Sequence, residues 1–213
     1  NTFDNFCLGG SIADSCISDD EDYQKFVKLL AFSDIWFHNV KEKNTRAILS
    51  YDWKLRSLPN YFQQLEMESL GKRPNKNSEF KKTGQIIFGG YGPTAQHSYF
   101  QLLHQGTQNI CADIILNKDN EFNSLAYSQG ITQAKLLSEG ASTSLKDEEI
   151  INGNVPVNLF IFDGIDAKKL GFLIATWEYR VFITSVMLQI NPFDQFGVNA
   201  GKIYTKKYLA DKD

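Results

Sequence analysis

Four short runs of apolar, β-prone residues, each followed by a helical segment, constrain the fold of this chain more than any other feature. They span residues 46–51, 85–88, 112–116 and 157–162. The first leads to a helix carrying Tyr61, Phe62 and Leu65, and the second to one with Tyr99, Leu102 and Leu103. The third leads to a helix with Leu125, Ala126, Leu136 and Leu137, and the fourth to a long apolar helix ended by Asn191-Pro192. Strands that are apolar nearly throughout, rather than alternating, are buried on both faces, as in a parallel sheet covered by helices. A further helix precedes them, with Phe26, Val27, Leu29, Leu30, Ile35 and Trp36 at helical spacing. Residues 1–22 give weak signals, and the polar segment 138–154 reads as a loop or a helix-turn excursion. The expectation is one α/β domain over residues 1–213, a three-layer sandwich with a mainly parallel, flavodoxin-type sheet flanked by helices. Ligands of such sheets bind outside the carboxyl ends of the strands. That points to the chain after Tyr51, the Gly89-Gly90-Tyr91-Gly92 loop and the turn at Asp163-Gly164.

Composition excludes several other classes. Hydrophobic residues are 42% and charged residues 22% of 213, the balance of a globular chain rather than a disordered one. The net charge of -3 and the lack of a basic patch argue against nucleic acid, whose binding rests on neutralising phosphates. Cys7, Cys16 and Cys111 are odd in number and lack CxxC spacing, so neither a disulfide framework nor a zinc site is expected. They read as reduced thiols of a cytoplasmic protein. No leader peptide is visible, and Glu178 and Arg180 interrupt the longest apolar stretch, which reads as a buried helix rather than a membrane span.

Taken one at a time, the polar motifs support plain readings. Gly90-Tyr91-Gly92-Pro93-Thr94-Ala95 fits G-x-G-x-x-A between a strand and a helix, with Asp113 following. But Asp113 lies inside an apolar run, and Pro93 removes an amide that would face a pyrophosphate. A tight turn with proline opening the helix is sufficient. His97 and His104 stand seven apart on the expected helix, on one face but about 10 Å apart along its axis, too far to share a metal. By spacing alone, Glu68 is one more exposed carboxylate and Lys202 one of several C-terminal lysines.

Three longer segments change those weights. Residues 61–72, YFQQLEMESLGK, resemble the YFQQ-x-x-MES-x-GK segment of the glucose-6-phosphate isomerase (phosphoglucose isomerase) family. Residues 96–107, QHSYFQLLHQGT, are similar to that family's QH-x-x-x-QL-x-HQGT, and residues 185–202 to its C-terminal signature. The three occur in the family's order, with weaker similarity over the whole chain. Two places depart from it: the family's GEPGTNGQH is GGYGPTAQH at 89–97, and Asn199 replaces a glutamate. Neither is a proton-transfer position.

The resemblance implies interconversion of glucose 6-phosphate and fructose 6-phosphate through a cis-enediolate, without metal or organic cofactor. Glu68 matches the base that moves a proton between adjacent carbons, and a carboxylate can serve both with little movement. His97 matches the ring-opening histidine, since imidazole exchanges protons readily near neutral pH. Lys202 matches the lysine at the ring oxygen, while Gln64 and Gln195 match substrate-contacting glutamines, whose amides both donate and accept. The family forms homodimers in which the histidine serves the partner's site, so His97 would act across the interface. The chain corresponds to the C-terminal, second SIS domain of a longer two-domain isomerase. The phosphate loop and the arginine of the family's GGR motif belong to an upstream domain that is missing, so the 213-residue piece alone is expected to be inactive. The alternative is a non-catalytic sugar-phosphate-binding SIS-type module, which has no need of Glu68, His97 and Lys202 together.

Overall fold

A computed structural model describes residues 1–118, 124–142 and 146–211. The sheet expected from the apolar runs is present: β1 (Thr45–Ser50), β2 (Ile86–Tyr91), β3 (Ile110–Asn117) and β4 (Val157–Phe162) pair in the order β2-β1-β3-β4, all parallel. That order is the flavodoxin-type one as far as it goes, with the reversal of direction between β1 and β3. Every residue of β3 and all of β1 from Arg46 onward are buried, which is why those two runs carry almost no exposed polar side chain.

Helices cover both faces. On one face α3 (Leu58–Leu70) and α7 (Ala167–Leu188) pack Phe62, Leu173, Trp177 and Val181 against Ile48, Ile87 and Ile115. Phe62 and Trp177 stack at 4.0 Å between ring centroids. On the other face α4 (Gly92–Ala95), α5 (Phe100–Gln105) and α6 (Ser124–Glu139) cover Ala47, Leu49, Ala112, Ile114 and Leu116. The three-layer architecture stands as the sequence predicts.

Some elements differ from the expectation, each for a local reason. Residues 1–22 are strongly helical: α1 (Thr2–Asp19) is opened by a capping box between Asn1 and Asp4, and Asp20 both closes it and caps α2 (Glu21–Ile35). Helix α1 lies on α7 at close range. A Cβ on Gly9 would meet the Lys168 carbonyl oxygen at 1.9 Å, and one on Gly171 the Phe6 carbonyl oxygen at 2.0 Å. The contact is made at glycines and continued by Ala13, Cys16 and Ile17, a stripe of mostly small residues that is weakly apolar in sequence. In α2, Val27, Leu30 and Ile35 are buried, but Phe26 and Leu29, with Trp36 in the turn that follows, are exposed, so the helix has two apolar sides.

Strand β2 runs on to Tyr91 through Gly89 and Gly90, because its pairing with β1 continues to Ser50. A Cβ on Gly89, at φ +153°, would sit 1.8 Å from the Ile48 carbonyl oxygen. The single helix expected around His97 and His104 is broken. Pro93 opens the short α4, residues 96–99 form a turn, and α5 starts only after Tyr99, whose ring stands edge-on to Phe88 at 5.3 Å. His97 and His104 consequently share no helix face. The segment 138–154 is irregular, with a 3-10 turn at Asp147–Glu149 and an isolated bridge from Ala141 to Ile151; residues 143–145 lie outside the described part. No described helix is long and apolar enough to cross a membrane.

His38, in a π-helical turn after α2, gives the fold a pH-sensitive point. Burial first, then the nearby cations Lys82 and Arg46, push its pKa down from 6.5 to about 4. The unfolded chain then binds a proton that the folded one refuses, so stability is lost as pH falls from about 6.5 to 4. In urea titrations at pH 7 and pH 5, His38→Gln should show a smaller loss than wild type. Comparing the two proteins cancels Glu66, whose raised pKa gives a slope of opposite sign.

Candidate functional site

The polar residues inside the sheet form a closed ionic cluster. Arg180 donates to Asp34 (Nε to Oδ2 2.7 Å, Nη2 to Oδ1 2.6 Å) and to Asp113 (Nη1 to Oδ2 2.8 Å). Arg46 pairs with Asp34 and Glu66, and approaches Asp113 at 3.5 Å. Trp177 Nε1 donates to Glu66 at 2.7 Å, and Asn158 donates to Asp113 at 2.7 Å. Two guanidiniums and three carboxylates thus lie buried together, joining α2, β1, α3, β3 and α7. Burial pushes the Glu66 pKa up, an effect Arg46 and Arg180 offset only in part. Burial also raises Asp113, but there Arg180 and Arg46 outweigh it and leave the carboxyl below its usual range. A fully buried Asp113 engaged by Arg180 cannot reach a ribose, which removes the dinucleotide reading of the Gly90 loop. The cluster is structural. In the sequence Arg180 and Asp113 stand out as charges inside apolar runs, and Arg46 at the start of a strand run carries the same signal.

The carboxyl ends of the strands are occupied by the protein's own bonds. Asn117 Nδ2 donates to Asp52 at 2.7 Å, and the Gly164 amide donates to Asn117 Oδ1 at 3.0 Å. Trp53 stands edge-on to Tyr91 at 5.2 Å and carries Arg56 over its ring.

An open cleft lies elsewhere, at the far end of α3. About 820 Å³ in volume, it is lined by Glu68, Gly71, Lys72, Arg73 and Asn75 on one side and by residues 189–191, 194–198 and 200 on the other. Helix α3 leaves the carboxyl end of β1 and runs back along the sheet, so its last turn sits beside the start of β2. Gln63 accordingly donates to the Ile87 carbonyl at 2.6 Å, and Gly84 packs against the backbone of Leu70 and Gly71. Glu68 is therefore not at the carboxyl ends of the strands, where doubly wound sheets were expected to gather their site.

Within this cleft Glu68 and Gln195 face the same space, Gln195 at the start of α8 (Phe196–Ala210). Gln64, one turn before Glu68, points its amide at the carboxylate at 3.5 Å, and the two share a smaller adjoining cleft with Tyr61. All three side chains belong to exposed residues, reachable by a ligand. Among the described residues no group of three or more His, Cys, Asp or Glu is placed to hold a metal.

The phosphoglucose isomerase family model matches residues 1–213, the full chain. This chain belongs to the phosphoglucose isomerase family. It is 39% identical to the glucose-6-phosphate isomerase of Shewanella halifaxensis, covering 82% of this chain and 36% of that one. It is 38% identical to that of Hydrogenovibrio crunogenus, covering 87% and 39%. The crystal structure of a glucose-6-phosphate isomerase from Chlamydia trachomatis superposes with a TM-score of 0.87 at 25% identity, over 99% of this chain and 43% of the other. A hypothetical protein from Thermus thermophilus shares the fold alone, with a TM-score of 0.76 at 20% identity, over 97% of this chain and 50% of that one. The chain spans little more than a third of the length of these curated relatives.

In this phosphoglucose isomerase family member the five residues singled out by the motifs are only partly assembled. Glu68, Gln64 and Gln195 are together. Lys202 is exposed on α8, two turns beyond Gln195 and about 10 Å farther along the helix, and lines neither cleft. His97 sits exposed in the turn between α4 and α5, on the opposite face of the sheet from α3. The fold of one chain does not bring His97 to Glu68.

Proposed function

We propose that this chain carries the proton-transfer part of a glucose-6-phosphate isomerase that interconverts glucose 6-phosphate and fructose 6-phosphate through a cis-enediolate, in glycolysis and gluconeogenesis. The observation that carries the reading is the open cleft that pairs Glu68 with Gln195 in a chain of this family. Glu68 takes a proton from one carbon of the opened sugar and returns it to its neighbour. Gln64 and Gln195 hold hydroxyls, Lys202 places positive charge at the ring oxygen, and His97 opens the ring. The chain is read as the C-terminal SIS domain of a longer cytoplasmic two-domain enzyme that binds the substrate's phosphate on its other domain. Coverage of little more than a third of the relatives supports that division. Without the other domain the piece turns over no substrate.

The separation of His97 from Glu68 favours a homodimer with shared sites, in which His97 serves the partner's Glu68. A mixing experiment on the complete protein tests this directly. Glu68→Gln and His97→Asn homodimers are each inactive, but their heterodimer holds one site with both residues intact and should recover activity. If each subunit supplied its own histidine, both heterodimer sites would be crippled and mixing would restore nothing.

A further inference from the structure

Lys72 belongs to the 61–72 motif but has no place in the proton transfers. Its ammonium donates to the Asp194 backbone carbonyl oxygen and, at 3.0 Å, to Asp194 Oδ1. Both side chains are largely covered, at 14% and 23% exposure, so solvent screens this pair less than an ordinary surface bridge. Lys72 is itself fixed at the end of α3: its amide donates to the Leu70 carbonyl at 2.7 Å, and its carbonyl accepts from Thr83 Oγ1 at 2.7 Å. Asn75 adds a second tie, donating to the Gln189 carbonyl at 3.0 Å, where the chain leaves α7 in a left-handed turn. The element that follows needs such ties. No residue of α8 is buried, and an isolated helix of 15 residues is marginal in water. The position of Gln195 is thus set by the connection 189–195, and that connection is held to the Glu68 side of the cleft by Lys72.

We infer that Lys72 is a positioning residue: by clamping Asp194 to the end of α3 it holds Gln195, and the root of the helix bearing Lys202, over Glu68. The inference rests on the isomerase reading for its catalytic consequence and on the geometry alone for the clamp. Lys72→Arg, which keeps a cation within reach, should stay close to wild type, whereas Lys72→Met loses both bonds. Asp194→Asn keeps the carbonyl contact and falls between.

Two readouts separate the parts. Hydrogen exchange of the 213-residue chain reports the clamp: peptides over 189–200 should exchange at least about tenfold faster in Lys72→Met, while the core strands stay unchanged. Steady-state kinetics of the complete protein report its consequence: kcat should fall about 100-fold, as expected when a contacting group is misplaced by an ångström or so, and Lys72→Arg should restore most of it. Unchanged exchange in Lys72→Met overturns the clamp. Faster exchange with unchanged kcat overturns the positioning role and leaves the isomerase reading intact. A complete wild-type protein with no isomerase activity overturns that reading and the catalytic consequence with it, and the exchange result still decides the clamp.

Discussion

Glu68→Gln in the complete protein should lower kcat for fructose 6-phosphate by roughly 10²- to 10⁴-fold, the range that a positioned acid/base group supplies. The amide keeps the shape of the side chain and can still bond to a sugar hydroxyl, so KM should change little. Stability should hardly move, because Glu68 is exposed and its side-chain bond from Gln64 is long at 3.5 Å. A loss confined to kcat is the signature of an interaction used in the transition state. Equal turnover by the two proteins would mean that Glu68 is not the base. Absence of turnover in both would favour a sugar-phosphate-binding module instead.

The largest effect on stability belongs to Arg180. Replacing it by Met should cost about 3–5 kcal/mol in urea unfolding of the chain, the usual result of removing one partner from a buried ionic cluster. Three charge-assisted bonds to Asp34 and Asp113 disappear, and two buried carboxylates are left to Arg46 and Asn158. Against a typical total of 5–15 kcal/mol, such a loss leaves the chain close to unfolding. Adding Asp113→Asn to Arg180→Met should recover part of the loss, since one stranded charge is removed. A cost below about 1 kcal/mol for Arg180→Met would show that the cluster is solvated rather than buried.

Much of this fold could be read from the sequence because its strands advertise themselves. The runs around Ile48 and Ile114 are apolar because a parallel sheet covered on both faces gives its central strands no wet side. The edge runs around Ile87 and Phe160 keep the apolar pattern although Ile86, Leu159 and Ile161 are exposed. The reading faltered where backbone rather than side-chain pattern decides. Gly89 and Gly90 look like the end of a strand, yet they are where β1 and β2 stay paired. Helix α1 was hard to read because it meets α7 at Gly9 and Gly171 and then through Ala13, Cys16 and Ile17, a stripe too short and small-sided to stand out. The break at residues 96–99 could not be foreseen from spacing that suits a continuous helix, and it moved His97 off the face it was expected to share with His104.

The candidate site was legible only through its motifs. Glu68, Gln64 and Gln195 carry no periodic signal, and the rule that ligands gather at strand carboxyl ends points to the opposite end of α3 from Glu68. What sequence could not convey is that Glu68 and His97 lie on opposite faces of one sheet. Under the proposed function, that separation calls for a second chain to complete the site.

Whether Glu68 moves the proton of a sugar phosphate is decided by running the complete protein with fructose 6-phosphate in D₂O and following C1 of the substrate and C2 of the product by NMR. An enzyme-held proton that is shared with solvent before its return leaves deuterium at these carbons. Wild type should incorporate it during turnover and Glu68→Gln should not. Deuterium entering at the same rate with both proteins would contradict the account.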